Sequence, residues 1–321
     1  MKEKVLITGG GGFIGSHMAR KLYDQGYFVR LCDIKYDNYI KVQHYDDKET
    51  LDLRVPKNCY LVTAGMDWVF NFAALMGGIG FITSVGADVM HDNALINVNM
   101  LEAAKYHKVK KFLFSSSACI YPTFKQLKPE VKGLNEIDAY PADPDNFYGW
   151  EKLFTEKVCE AYQRDYGMDI RITRFHNIYG PEGTWKGGRE KSPAALCRKV
   201  AEAKNIESIS IWGDGKQTRS YCYIDDCLEG TMKLMQSNYD KPMNIGSERL
   251  VSIDQLADMI IKISGKKLGK KYDLRAAQGV RGRNADISLA RRVLHWEPKV
   301  SLEEGLHKTY SWIEKQVEAE K

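Results

Sequence analysis

A tyrosine and a lysine one helical turn apart are the first residues in this chain that could do chemistry together. Tyr148 and Lys152 would share one face of a helix because they stand four positions apart. A nearby positive charge lowers the pKa of a phenol, so Tyr148 could act as a base toward a sugar hydroxyl near neutral pH. Lys152 could also hydrogen-bond a cofactor ribose. Ser117, upstream at the end of an apolar run, could orient the reacting hydroxyl.

A glycine-rich turn near the N-terminus predicts a dinucleotide site. Residues 9–12 are all glycine, Gly15 follows, and the turn lies between an apolar run and a helical pattern. Such a turn lets the backbone approach a phosphate, and the next helix presents its N–H groups to the anion. The residues expected at the pyrophosphate are Gly9, Gly12, Phe13, Ile14 and Gly15. Asp33 closes the next apolar run, about 20 residues on, where a carboxylate would bind the adenosine ribose.

Strand-like and helical segments alternate in the first half of the chain. Strands are predicted at residues 5–8, 28–33, 60–62, 68–73, 111–116 and 169–174. Helices are predicted between them at residues 13–25, 87–107 and 148–166. This alternation predicts an α/β fold with a Rossmann-type doubly wound parallel sheet and a smaller C-terminal substrate-binding domain.

The domain boundary is expected near residue 174. Residues 1–174 would form the dinucleotide-binding domain, and residues 175–321 the substrate-binding domain, with helices at 193–203, 253–263 and 302–317. Residues 221–246, which contain a helical pattern and a short strand, are expected to return to the main sheet.

Composition excludes several classes of protein. The chain has 321 residues, of which 44% are hydrophobic, and no apolar run reaches the roughly 20 residues that span a bilayer. Seven cysteines form no Cys-x-x-Cys pair, which indicates free thiols and a cytoplasmic location. The histidines lack ligand spacing, so no metal is predicted. The net charge of +5, from 47 basic and 42 acidic residues, is too slight to indicate a nucleic-acid partner.

The motifs resemble a known superfamily and, within it, a narrower family. The glycine turn, Ser117, Tyr148 and Lys152 resemble the extended short-chain dehydrogenase/reductases, which act on nucleotide sugars. Six longer stretches are similar to the family of GDP-mannose 3,5-epimerases: residues 73–78, 117–122, 175–181, 183–191, 212–220 and 279–284. They follow one another in order over nearly the whole chain.

The resemblance implies a reaction that inverts C3 and C5 of GDP-mannose. GDP-L-galactose would be the product and GDP-L-gulose the side product, with a transient 4-ketone and recycled NAD. Tyr148 would take the C4 hydroxyl proton, and the ketone would acidify the hydrogens on C3 and C5. Inversion needs one group on each face of the ring, and the resemblance assigns Cys119 as base and Lys191 as opposing acid. Burial and neighbours can shift their usual pKa values of about 8.5 and 10.4.

Further contacts are implied by the same resemblance. On the cofactor side they are Asp52, Ala73, Asn99, Tyr148 and Lys152. NAD is expected rather than NADP, because Asp33 would repel a 2′-phosphate. On the substrate side the residues are Gly77, Ser117, Ala118, Cys119, Asn177, Glu190, Lys191, Lys199, Gln217, Arg219 and Arg283. Arg219, Arg283 and Lys199 could clamp the diphosphate, since guanidinium groups suit phosphate oxygens.

Alternatives remain open at the level of sequence. A nucleotide-sugar 4-epimerase or 4,6-dehydratase would share the glycine turn, Ser117, Tyr148 and Lys152, and a non-catalytic NAD-binding scaffold is the alternative from another class. Lys191 could be a surface lysine or a countercharge for diphosphate. The resemblance also implies a homodimer that pairs through the helices at residues 87–107 and 148–166.

Overall fold

A parallel seven-stranded sheet forms the centre of the computed structural model, which describes residues 2–36 and 43–321. The strands, in chain order, are β1 Lys4–Thr8, β2 Phe28–Asp33, β3 Asp47–Thr50, β4 Trp68–Asn71, β5 Lys111–Ser117, β6 Ile170–Phe175, β7 Ile178–Tyr179, β8 Ser208–Trp212, β9 Thr218–Ser220, β10 Cys222–Tyr223, β11 Pro242–Ile245, β12 Leu250–Ser252, β13 Gly269–Asp273 and β14 Gly282–Arg283. The order in the main sheet is β11-β6-β5-β4-β1-β2-β3. This order confirms the predicted Rossmann-type doubly wound architecture.

Helices cover both faces of this sheet. They are α1 Phe13–Asp24, α2 Pro56–Thr63, α3 Ile79–Ser84, α4 Gly86–Tyr106, α5 Phe147–Tyr166, α6 Ser192–Glu202, α7 Ile224–Gln236, α8 Ile253–Ser264, α9 Ser288–Leu294 and α10 Leu302–Ala319. Successive strand residues point to opposite faces, so Ile7 packs in the cluster of Met18 on α1 while Leu6 packs in the cluster of Met100 on α4. Burial on both faces explains why these strands are continuous apolar runs.

One predicted strand is wrong. Residues 60–62 lie in helix α2, which begins at Pro56, a residue suited to the first turn of a helix, and which buries Cys59 and Val62 against the sheet side. The third strand of the sheet is instead β3, whose sequence Asp-Lys-Glu-Thr is polar and partly exposed because it lies at the sheet edge.

The second half of the chain builds a smaller region beside the sheet. Helices α6, α8 and α10 pack together there, and the short strands form a three-stranded sheet, β12-β9-β14, and a pair, β13-β8. β11, from the segment expected to return, pairs in parallel with β6 in the main sheet. The exact division into domains stays a prediction. Among the described residues, no helix is both long and apolar enough to cross a membrane.

Candidate active site

A large cavity opens where the carboxyl ends of the central strands meet the smaller region. Parallel doubly wound sheets bind ligands at this edge. Every residue that the sequence predicts on the substrate side lines the cavity, together with Tyr148: Gly77, Ser117, Ala118, Cys119, Asn177, Glu190, Lys191, Lys199, Gln217, Arg219 and Arg283. The fold therefore brings residues from six matched stretches of sequence to one place.

Helix α5 positions the tyrosine and the lysine. Its N-terminus is capped by the Asn146 side chain, which accepts a hydrogen bond from the Gly149 N–H at 3.0 Å. One turn separates Tyr148 from Lys152, whose buried ammonium donates to the Ser115 carbonyl at 2.9 Å and lies 5.5 Å from the centre of the Tyr148 ring. Tyr148 and Lys152 therefore share one face of α5, as predicted.

The pKa of Tyr148 moves opposite to the sequence-based expectation. Burial raises the pKa of its phenol above the ordinary value, and a hydrogen bond with Ser117 only partly offsets that rise. Burial also lowers the pKa of Lys152. Desolvation of the buried phenol is the largest cause, so the predicted lowering at Tyr148 is wrong.

A buried arginine contacts the sulfur of Cys119. Cys119 follows β5 on a single 3₁₀ turn, where its N–H donates to Ser117 Oγ at 3.2 Å. Arg283 Nη1 donates to Cys119 Sγ at 3.2 Å, while its other nitrogens donate to Gln126 Oε1 at 2.6 Å and Asp145 Oδ1 at 3.2 Å. The structure thus places Arg283 at the cysteine sulfur, although the sequence predicted it at the diphosphate.

Lys191 enters the same cavity from another element. It is the residue before helix α6, it is exposed, and it lines the cavity. Burial within the protein lowers the pKa of its ammonium, and a negative charge at Cys119 would act in the opposite direction. An amine whose pKa is lowered toward neutrality can exchange protons readily.

Positive charge and an unpaired amide also line the cavity. Burial, together with the positive charge of Arg283, lowers the pKa of Arg219 to about 10. Lys199 donates to the Ser210 carbonyl at 2.7 Å, and burial lowers its pKa as well. The side-chain oxygen of Gln217 is buried without a hydrogen-bond partner. Like charges held together in a cavity suit an anionic ligand.

Comparison with known proteins identifies the family. A sequence model of the NAD dependent epimerase/dehydratase family matches residues 5–246. The chain belongs to the NAD dependent epimerase/dehydratase family. It is 48% identical to GDP-mannose 3,5-epimerase of Arabidopsis thaliana, over 99% of this chain and 84% of that protein, and 47% identical to GDP-mannose 3,5-epimerase 1 of Oryza sativa subsp. japonica, over 100% and 84%.

A solved structure of the same fold supports the assignment. UDP-glucose 4-epimerase of Thermotoga maritima, determined with UDP-glucose, superimposes with a TM-score of 0.88 at 28% identity and covers 98% of this chain and 99% of its own. NAD is the cofactor of the epimerase/dehydratase family, so the glycine turn is where its pyrophosphate would be expected.

The glycine turn of this epimerase/dehydratase fits that cofactor. Gly9 has a φ of 68°, and a Cβ on Gly15 would lie 2.2 Å from the Gly9 carbonyl oxygen, so glycine is required both for the bend of the turn and for its close packing against the start of α1. No side chain caps the N-terminus of α1 at Phe13. The carboxylate of Asp33 accepts from the Gly11 N–H at 3.0 Å, which places it beside the turn as expected for a ribose contact. Ala73 N–H donates to Thr8 Oγ1 at 3.1 Å and ties β4 to the same turn.

Two predicted cofactor residues make their polar contacts with the loop after β3. The Asp52 carboxylate pairs with Arg54 at 2.7 Å, and the Asn99 amide donates to the Arg54 carbonyl at 3.0 Å. Neither residue lines the cavity. Their polar atoms fix the loop after β3, so a direct cofactor contact by either stays a prediction.

Sequence reasoning missed several residues of the site. Asp145, Asn146 and Tyr221 line the cavity, and Tyr221 shares a hydrogen bond of 2.9 Å with Ser192. Asn146 could have been found, because an asparagine directly before a helical pattern is a common N-cap. Asp145 gave no such signal, since its contact with Arg283 joins positions 138 residues apart.

Proposed function

We propose that this protein is a GDP-mannose 3,5-epimerase, an NAD-dependent isomerase that converts GDP-mannose to GDP-L-galactose, with GDP-L-gulose as side product. The observation that carries the proposal is one cavity that holds both Ser117 with Tyr148 and the pair Cys119 and Lys191. Relatives of that name match nearly the whole chain at 47–48% identity.

Three side chains of the cavity would carry out the proton transfers of this reaction. Tyr148, hydrogen-bonded to Ser117, would take the C4 hydroxyl proton as a phenolate and later return it. Because burial raises its pKa, this role requires that the phenolate be stabilised when the substrate is bound, and the Lys152 ammonium, 5.5 Å from the ring centre, is the positive charge nearby. NAD supplies the hydride acceptor and donor at C4. The resulting ketone acidifies the hydrogens on C3 and C5, which Cys119 can remove as a base while Lys191 delivers a proton to the opposite face. Each inversion moves one proton from the sugar to Cys119 and one from Lys191 to the sugar. Both groups would regain their starting forms by proton exchange with water before the second inversion, so the sugar leaves as an isomer.

The anionic end of the substrate would lie at the other side of the cavity. Arg219 and Lys199 present positive charge there, and Gln217 offers its unpaired side-chain oxygen. Asn177 lines the same cavity, is held by its bond to the Ser220 carbonyl at 2.8 Å, and would bridge the sugar and the diphosphate. A GDP diphosphate would relieve the repulsion between Arg219 and Arg283.

Proton NMR of GDP-mannose in heavy water tests the proposal. The wild type should place deuterium at C3 and C5 and give galacto and gulo signals, whereas Cys119→Ala and Lys191→Ala should lose both. Lys204→Ala, which removes an exposed lysine outside the cavity, is the matched control. Inversion at C4 alone would support a 4-epimerase instead, and an unlabelled, unchanged sugar with bound NAD would support the scaffold alternative.

We also infer a homodimer that pairs through α4 and α5. Helix α5 exposes Phe147, Trp150 and Phe154, and the start of α4 lies against Phe147, because a Cβ on Gly86 would be 2.6 Å from that ring. Aromatic residues left in water along one helix face favour a covered surface. The cytoplasmic location stays a prediction.

A further inference from the structure

The loop before Lys191 contains two glycines around which there is open space. Gly187 and Gly188 have φ values of 90° and 84°, and a Cβ on either would meet no atom within 4 Å. Two consecutive glycines in this conformation give a backbone with many accessible states. Lys191 itself is the N-cap of α6, and the Ala195 N–H donates to its carbonyl at 2.9 Å. Its position therefore depends on α6 and on the contacts that residues 188–190 make with other elements.

Helix α3 supplies such contacts just before Lys191. The Gly78 N–H donates to the Arg189 carbonyl at 3.0 Å, and the Arg189 guanidinium lies 4.1 Å from the centre of the Phe81 ring. The backbones are close as well, because a Cβ on Gly78 would lie 2.6 Å from the Glu190 carbonyl oxygen. Phe81 thus supports the loop on the α3 side, while Arg198 of α6 holds it on the other side by pairing with Glu190 at 3.0 Å.

The Arg189 side chain does not line the cavity. Gly188, Glu190 and Lys191 line it, whereas Arg189 is exposed on the outer side of the same loop. Its interaction with Phe81 consequently joins two rims of the cavity from outside. On the α3 side, the rim includes Gly77, Gly78 and Gly80.

We propose that Arg189 and Phe81 form a latch that sets the position of Lys191, which makes Arg189 a positioning residue for proton transfer at C3 and C5. The inference rests on the proposed function. Oxidation at C4 uses Tyr148 and Lys152 on α5, which the loop does not carry. Opening the latch should therefore weaken inversion more than oxidation.

Four variants test the latch. A cation over an aromatic ring changes an equilibrium by a factor of roughly 2 to 30. Arg189→Ala and Phe81→Leu should each lower deuterium incorporation at C3 and C5 by about tenfold. Reduction of bound NAD on mixing with GDP-mannose, read from its absorbance, should stay within about twofold of wild type. The double variant should lose no more than either single variant, and Arg189→Lys, which keeps a cation, should recover most of the loss.

A control in the same loop is Lys186→Ala. Lys186 lies 4.9 Å from the Trp185 ring and pairs with Glu320, away from α3, so its removal should leave exchange at the wild-type rate. Equal exchange in wild type, Arg189→Ala and Phe81→Leu would overturn the latch. A weaker affinity for GDP in Arg189→Ala, without a matching exchange defect in Phe81→Leu, would also overturn it and make Arg189 a phosphate ligand. Absence of label in the wild type would instead count against the epimerase function itself.

Discussion

Cys119 differs from the other cysteines of the chain in what surrounds its sulfur. The other six are fully buried, whereas Cys119 is partly exposed to the cavity. Arg283 donates to its sulfur at 3.2 Å and is itself held by Asp145 and Gln126. The Arg283 guanidinium and the turn after β5 therefore fix the position of the sulfur and place a positive charge beside it.

Alkylation of Cys119 should depend on Arg283. Arg283→Gln should slow the reaction of Cys119 with iodoacetamide by about tenfold, because the sulfur loses both the positive charge beside it and the hydrogen bond that orients it. Mass spectrometry of the peptide that contains Cys119 measures the rate. Arg281→Gln is the matched control, since Arg281 pairs with Asp214 at 2.8 Å and not with the cysteine. An unchanged rate in Arg283→Gln would mean that the hydrogen bond does not activate the thiol.

The lowered pKa of Lys191 predicts an alkaline limit to inversion. Burial places the pKa of its ammonium below the ordinary value of about 10.4, and an acid must carry its proton to act. Deuterium incorporation at C3 and C5 should therefore fall as pH rises through this lowered pKa. Lys191→Arg should retain little exchange, but without that alkaline fall, because arginine stays protonated. The same limit in both proteins would assign it to another group.

At the scale of elements, helix α5 and the turn that holds Cys119 are in backbone contact. A Cβ on Gly149 would lie 2.2 Å from the Cys119 carbonyl oxygen, so no side chain fits between them. Gly149 follows Tyr148 directly, and its N–H is fixed by Asn146. Gly149 thus allows the close approach of Tyr148 and Cys119.

Gly149→Ala should separate these two elements. The added methyl group must displace backbone, which should cost about 1–3 kcal/mol in free energy of unfolding. Exchange at C3 and C5 should drop by at least about tenfold, because a small misplacement of a catalytic group is costly. Chemical denaturation and NMR exchange measure the two effects. Gly183→Ala, whose Cβ would meet Phe13 at an ordinary 3.4 Å, should be tolerated. Wild-type behaviour in Gly149→Ala would show that the contact is not needed.

Elements with a clear apolar period could be predicted from the sequence. β2 begins and ends where predicted. The bounds of α1, α4 and α5 differ from the predicted ones by no more than one residue at each end. The predicted strand at residues 60–62 was wrong because a short apolar run does not distinguish a strand from a helix. β3 was missed because an edge strand with polar residues lacks an apolar pattern. Each miss reflects tertiary context that a local pattern does not carry.

The candidate site divides in the same way. Residues in recognisable stretches, such as Cys119 and Lys191, could be named in advance, and the fold places both at one cavity. The residues that contact them could not be predicted, because the contact of Arg283 with Cys119 joins positions 164 residues apart. The pKa of Tyr148 was wrong in direction for a related reason, since spacing along a helix does not measure burial.

At the scale of the whole molecule, the site depends on both halves of the chain. Ser117 and Tyr148 come from the elements around the main sheet, whereas Lys191 and Arg219 come from the smaller region. The cavity between them therefore holds the oxidation and inversion groups only while the two regions are packed together. Helix α5 is central to this arrangement because one face carries Tyr148 and Lys152 while another face is exposed.

That exposed face predicts the state of assembly. Phe147, Trp150 and Phe154 recur at helical spacing along α5 and are 60%, 42% and 49% exposed. If they pack against a second copy, the wild type should scatter light as a particle of twice 36.6 kDa. Trp150→Glu combined with Phe154→Glu should give a 36.6 kDa particle, because buried unpaired carboxylates are costly. Phe124→Glu, at an aromatic residue that is 47% exposed outside α5, should leave the assembly intact. A wild-type particle of 36.6 kDa would exclude the dimer, and an intact dimer in the double variant would move the interface to another face.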